Sequence, residues 1–257
     1  WANADGGLLM LDDLLPQGIG KTAKVTVELP LGWKVVTSET QAAPNVFTVA
    51  NIEKAVFYTG ANIREPTASS PLKVGITGDW LFTDAEAAGM ANTIFAEYGR
   101  EFGRMPNAVY RVRLAKFPNP TAIGNWEADT RGRSVTIVSS DMPFKNQSLQ
   151  RLHEQLRHEL FHLWIPNAVN LSGNYDWFYE GFALYQSLKT GVAVNQLRFE
   201  DFLDTLSRAY DIDSIQTSRK SLVDASKNRW GGSNTQIYAR GMLVAFLCDL
   251  AMLDASK

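Results

Sequence analysis

The sequence predicts an α+β fold: a β-rich N-terminal part, then a part in which strands and helices mix and the helices gather toward the C-terminal end. Three observations predict it. Short stretches of alternating polar and apolar residues fill the first third. The apolar period changes to helical spacing after a turn-rich segment near residue 68. From Ser148 onward the pattern is almost wholly helical. A chain of 257 residues suits one large domain or two modest ones. Its 45% hydrophobic and 20% charged residues support a sizeable core and exclude global disorder.

Lys24–Leu29 alternates as a half-buried strand should, and Pro30-Leu31-Gly32 punctuates it before Trp33–Thr37 resumes. Val46–Val49 and Ala55–Tyr58 are two further short strands. Arg64–Pro71 is rich in turn formers and marks the expected boundary between a first domain over 1–68, incomplete at its start, and a second over 69–257. Val74–Trp80 reads as a strand. Asp84–Phe102 carries Ala88, Ala91, Phe95, Tyr98 and Phe102 at helical spacing, and Gly103 stops it. In Ala108–Lys116, Tyr110, Val112 and Leu114 face one way and Arg111 and Arg113 the other. Ser134–Val138 is a further strand. Leu149–Trp164 is an amphipathic helix with Leu149, Leu152, Leu156, Leu160 and Leu163 on one face, ended by Pro166.

With 25 basic and 27 acidic residues the net charge is −2, which excludes binding of nucleic acid or anionic lipid by bulk charge. The single cysteine, Cys248, excludes an intrachain disulfide and a Cys-rich zinc finger. No run of about 18 consecutive apolar residues is present, so no transmembrane segment is expected. Met242–Cys248, the longest apolar stretch, reads as a buried helix with Cys248 in the core. A start at Trp1 reads as a processed or trimmed product, and the helical pattern reaching Lys257 without a stop reads as a chain that continues.

Histidine is the anomaly. All three, His153, His158 and His162, fall within ten positions. His158-Glu159-Leu160-Phe161-His162 is an H-E-x-x-H motif, and residues four apart on a helix share a face, so both imidazoles can reach one ion. Glu159, about 100° around the helix from His158, flanks that ion without ligating it and is placed to act as general base. His153, about 140° away, is expected on the solvent side. Catalytic zinc sites usually have three protein ligands, and with no other histidine the third is expected to be a carboxylate. Glu180, in Trp177-Phe178-Tyr179-Glu180-Gly181-Phe182-Ala183-Leu184-Tyr185, begins a second helical pattern after the loop 172–176. An antiparallel helix pair would set it opposite the histidines. The expected set for one Zn²⁺ is His158, His162 and Glu180.

These two segments together resemble the gluzincin metallopeptidases, and within them are most similar to the glycyl aminopeptidase family, a relative of the aminopeptidase N family. Pro30-Leu31-Gly32-Trp33-Lys34 is similar to that family's N-terminal β domain, and the likeness runs from about residue 24 to 250. It implies a thermolysin-like catalytic domain with an edge strand and a helical half, a peptide substrate and zinc-dependent peptide-bond hydrolysis. It assigns Tyr238, in Ile237-Tyr238-Ala239-Arg240-Gly241, as the phenol donor to the developing oxyanion. It also aligns Gly124-Asn125-Trp126-Glu127-Ala128 with a substrate-binding motif, making Gly124 and Glu127 substrate-binding residues and Glu127 the anchor for a free α-amine. Asn125 stands where a second Gly is usual and Ala128 where His is. Seventeen residues separate His162 from Glu180, one fewer than in the aminopeptidase N pattern. Strand Ser134–Val138 is read as a surface for strand addition by substrate. The resemblance accords with a periplasmic or secreted setting.

Three functional readings stand on these residues: an aminopeptidase, an endopeptidase with the same site, and a peptide-binding protein that keeps the metal without turnover. Of the remaining residues, Arg240 reads as a structural ion pair, Asp176 as a helix N-cap and Asp129 as an acid behind a ligand.

Overall fold

Three β-sheets precede and underlie a set of packed helices in the computed structural model, which describes residues 2, 6–16, 18–66, 71–103, 108–169, 172–173, 175–217 and 220–256. Part of the expected boundary segment (67–70) and Asn174 of the expected loop lie outside the described residues. In order, the elements are β1 (Gly6–Met10), α1 (Leu11–Leu14), β2 (Ala23–Thr26), β3 (Lys34–Thr37), β4 (Thr40–Ala43), β5 (Val46–Val49), β6 (Val56–Gly60), β7 (Leu72–Ile76), α2 (Asp84–Glu101), β8 (Tyr110–Lys116), β9 (Trp126–Arg131) and β10 (Ser134–Ser139). Then come α3 (Lys145–Phe161), α4 (Asp176–Ala193), α5 (Phe199–Ser214), α6 (Leu222–Lys227) and α7 (Asn234–Ala255). The α+β class expected from the sequence is the one found.

The first two sheets, β1-β6-β3 and β2-β5-β4, are antiparallel. The third, β7-β8-β10-β9, is mixed: β7, β8 and β10 run parallel, and β9 pairs antiparallel with β10 as an edge. One face of this sheet packs Val74, Val112, Leu114 and Ile137 against Ala91, Ile94 and Tyr98 of α2 and Leu152, Leu156 and Leu160 of α3. Each such burial contributes roughly 1.5–3 kcal/mol. The other face is also covered: Ala115 packs with Leu8, Val36, Val56, Tyr58 and Ile63. This is why Arg113, on the face opposite Val112 and Leu114 as the alternation predicts, is buried beside the Tyr58 ring. Ser38 reinforces the junction, sharing a hydrogen bond with Ser134 at 2.9 Å and accepting one from Arg133 at 2.7 Å on its carbonyl.

α2 matches its expected span. A capping box between Thr83 and Glu86 opens it. α3 begins four residues before the expected Leu149, because the polar run Lys145–Ser148 extends the helix beyond its buried stripe. Its regular part ends at Phe161, where backbone N–H groups of His162, Leu163 and Trp164 bond carbonyls three residues back in a tightened last turn. α4 begins at Asp176 itself, so Asp176 is not the N-cap. Tyr175 holds that position, and Ser226 of α6 accepts the Trp177 N–H at 3.1 Å.

α4 and α7 cross with their backbones in contact. A Cβ on Gly181 would lie 2.4 Å from Gly241 Cα, and one on Gly241 would lie 2.6 Å from the Trp177 carbonyl oxygen. This crossing sets Glu180 beside Tyr238, one turn before Gly241. At 22 residues, α7 has the length and composition to cross a membrane. Here one stripe, Ala239, Met242 and Ala245, packs with Tyr185 of α4 and Phe202 of α5. Ile237 is buried as well, and Leu243, Val244 and Phe246 are half-buried, whereas Leu247, Leu250, Met252 and Leu253 are exposed, and Cys248 with them. The expectation of Cys248 in the core therefore fails, because Leu247, Cys248 and Leu250 lie outside the stripe that packs with α4 and α5.

Gly181→Ala or Gly241→Ala is expected to cost roughly 1–3 kcal/mol through overpacking, seen as a lowered denaturation midpoint. Gly89→Ala on α2, where a Cβ meets open space, should instead stabilise by about 0.4–1 kcal/mol.

Candidate metal centre

His158 and His162 lie one turn apart at the C-terminal end of α3, and Glu180 faces them from the first turns of α4. Nε2 of His162 is 3.3 Å from Nε2 of His158. Glu180 Oε2 is 3.2 Å from the first ring's Nε2 and 3.7 Å from the second's. All three residues are at least largely buried, and Glu180 Oε2 has no conventional hydrogen-bond partner. Lone pairs so placed repel unless a cation sits among them. Bonds of about 2.0–2.1 Å from a tetrahedral zinc ion put its ligand atoms roughly 3.3 Å apart, so the set fits that ion. Behind the ligands, His162 Nδ1 is 3.0 Å from the Ile165 carbonyl, a contact that fixes the ring with Nε2 inward.

In the chain alone, protons answer the same electrostatics. Burial works against a charged His162, but hydrogen bonding to Glu180 and the Glu159 charge raise it to about 9. Burial likewise opposes the Glu180 carboxylate, and its contacts with both imidazoles outweigh this and hold it far below the usual carboxylate range.

Glu159 is buried beside the set, with Oε1 4.0 Å from His158 Nε2. Thr130 of β9 donates a hydrogen bond to its Oε2 at 2.7 Å and so orients the carboxylate. Tyr238 approaches from α7, its ring 6.5 Å from that of His158. Burial, together with the Glu180 charge, raises the Tyr238 pKa, so the phenol keeps its proton. Arg229, which the sequence reading did not single out, joins these groups. Its Nη2 donates to the Tyr238 oxygen at 2.7 Å, and its Nη1 is 3.0 Å from Glu180 Oε1 and 3.8 Å from Asp176. Nothing in the local sequence Asn228-Arg229-Trp230-Gly231 marks it; only the α4–α7 crossing brings it to the site.

The centre opens into a cleft of about 800 Å³ whose opposite wall is β9, with Glu127 exposed on its rim. Because β10 is hydrogen-bonded on both sides, Ser134–Val138 cannot take the added strand foreseen from the sequence. The open edge is β9, the strand that carries Glu127. Gly124 sits in the turn before β9, donates its N–H to the Asp141 carbonyl at 3.4 Å and is not among the residues lining the cleft. Asn167, also missed, clamps the edge strand to the helix end: its amide donates to the carbonyls of Thr130 at 3.1 Å and His162 at 2.9 Å, and its Oδ1 accepts the Gly132 N–H.

Other residues take structural places. Arg240 forms the expected ion pair, with Asp213 at 2.8 Å. Asp129 bonds Arg131 at 2.7 Å and no ligand histidine. His153, expected in solvent, is buried and faces a cavity that Leu188 of α4 and Thr205 of α5 also line, so that side of α3 is walled by the neighbouring helices.

No family model matches the chain. A leucyl aminopeptidase of Saccharolobus solfataricus is 32% identical over 131 residues, 48% of this chain and 16% of that protein. A glutamyl aminopeptidase of Mus musculus is 25% identical over 169 residues, 63% of this chain and 18% of that protein. Among solved structures, an aminopeptidase N family protein from Idiomarina loihiensis superposes with a TM-score of 0.74 at 17% identity, covering 94% of this chain and 48% of that one. The chain has the M1 zinc metallopeptidase fold. A Deinococcus radiodurans protein described as an M1 zinc metallopeptidase gives a TM-score of 0.60 at 18% identity, over 95% of this chain and 58% of its own. The chain thus spans less than a fifth of these curated aminopeptidases and about half of the solved M1-fold chains.

Two outcomes are expected from this geometry. Arg229→Ala leaves Glu180 and Tyr238 without their shared partner and should lower zinc affinity about 10–100-fold, measured by competition with a chelating dye. His153 is held down to about 4 by burial, with Arg157 adding repulsion, against 6.5 unfolded. Between pH 6.5 and about 4 the unfolded chain binds a proton that the fold refuses, so this residue's effect is to lower stability as pH falls through that window. In urea titrations across it, His153→Gln should show a shallower loss than the parent chain.

Proposed function

We propose that the chain carries a zinc-dependent peptidase site of the aminopeptidase kind. The observation that supports this most is the convergence of His158, His162 and Glu180, with ligand atoms all within 4.8 Å of one another, in the cleft that also holds Glu159, Tyr238 and an open strand edge. The curated relatives named above are aminopeptidases, which supports the same reading. The wording of the segment around Glu180 favours the glycyl aminopeptidase branch.

When bound, zinc supplies Lewis-acid polarisation of the scissile carbonyl and makes a water nucleophilic at neutral pH. The protein groups do the rest. A peptide laid against β9 adds a strand and takes its register from the edge backbone. The Glu127 carboxylate on the rim meets the free α-amine. Glu159, held by Thr130, accepts the proton of the attacking water and hands it to the departing amine. Tyr238, kept protonated by burial and oriented by Arg229, donates to the oxygen on which negative charge develops.

Removal of metal with a chelator should abolish hydrolysis of an aminoacyl p-nitroanilide, and zinc should restore it. Glu159→Gln is expected to lower kcat about 10²–10⁴-fold and Tyr238→Phe about 10²–10³-fold, with zinc content unchanged in both. Activity that survives chelation, or an unchanged rate in Glu159→Gln, refutes the reading. Peptides with acetylated N-termini separate the endopeptidase alternative: if they are cut as fast as free ones, Glu127 is no amine anchor.

A further inference from the structure

Arg157 is 6% exposed. It lines both the catalytic cleft and an adjoining chamber of about 450 Å³ walled by His153, Leu188, Leu197 and Thr205. Its Nε and Nη1 are buried without a hydrogen-bond partner, and among the described residues no carboxylate lies within ion-pair distance. Glu154, which lines both cavities as well, turns to Arg151 at 3.2 Å. A buried, unpaired guanidinium is costly and is normally matched by an anion. The fold makes room for this one: a Cβ on Gly191 of α4 would lie 1.6 Å from Arg157 Nη1, so the guanidinium sits where only glycine leaves space. Nε and Nη1 thus have no acceptor, and a carboxylate presents two lone pairs in matching geometry.

We propose that Arg157 is a carboxylate-binding site at the end of the cleft, taking the C-terminal carboxylate or an acidic side chain of a short peptide. Gly191 lies eleven residues beyond Glu180 on the same helix, about 16 Å along its axis. An extended peptide covers that distance in roughly five residues, so the preferred substrate is an oligopeptide of about that length. The peptide nature of the ligand rests on the peptidase reading; the demand for a carboxylate does not.

The test is calorimetric titration of the zinc-loaded Glu159→Gln chain, which binds without turnover. The probes are penta-alanine as free acid, its C-terminal amide, and an amidated pentapeptide with one internal glutamate. The expected result is that one carboxylate-bearing probe binds roughly tenfold tighter than the neutral amide, about 1.4 kcal/mol. The preferred probe tells the terminal carboxylate from the side chain. Arg157→Met should erase the preference without lowering the thermal midpoint, since it removes an unpaired buried charge. Arg157→Lys should keep part of it, and Gly191→Ala should weaken it. Equal or absent binding of the three probes, or a preference that survives Arg157→Met, overturns the proposal. Hydrolysis of the same peptides by the unsubstituted chain is scored separately. Cleavage without carboxylate preference sinks this site and spares the peptidase reading; preference without cleavage does the opposite.

Discussion

Two imidazole nitrogens and a carboxylate oxygen face one another across the α3–α4 interface within hydrogen-bonding distance. This electrostatically awkward arrangement organises the molecule around it. Two of the three candidate ligands are fixed from behind, His162 by the Ile165 carbonyl and Glu180 by Arg229, and the two helices are held by their packing on the mixed sheet and on α7. The backbone contact at Gly181 and Gly241 matters most among these supports. It lets the third ligand and the phenol of Tyr238 share one small volume, although 58 positions separate them in the chain. Close packing of this kind transmits strain, so the candidate ligand set and the Tyr238 phenol cannot be repositioned independently.

Much of this was legible in the residues. The helical period fixed α2 and α3 to within a few positions, and the two histidines four apart carried their own geometry. Glu180 was found by chemistry, because a site with two histidines lacks a ligand and no third histidine exists. What stayed hidden depends on tertiary placement. Arg229 sits in a short turn with no local signature. Asn167 reads as one more polar residue after a proline. Trp126-Glu127-Ala128-Asp129 lacks the apolar alternation of a half-buried strand, and β9 exists because β10 supplies its hydrogen bonds from one side. His153 and Cys248 depart from the sequence reading for a common reason. Periodicity tells which residues share a face, and only the fold tells whether that face is covered.

The distribution of apolar surface is uneven. The sheet and the α3–α4 pair are tightly enclosed, while α7 leaves Leu247, Leu250, Met252 and Leu253 exposed, and α5 leaves Tyr210 and Ile215 exposed. The helices that carry the candidate metal centre are thus self-sufficient in packing where they face the sheet and much less so at the opposite end. The candidate metal centre sits on the enclosed side.

The Asn167 clamp has a consequence for how a substrate would be measured. It fastens the edge strand to the end of the helix that holds His162, so strand and metal ligands form one rigid scale. A peptide that pairs with β9 can move along this scale only in steps of about 3.3 Å, and each single step turns its side chains to the opposite face. Under the proposed peptidase reading, the position of cleavage is therefore counted in whole residues and not in continuous distance. A substrate that slips by one residue is out of phase with every side-chain subsite at once.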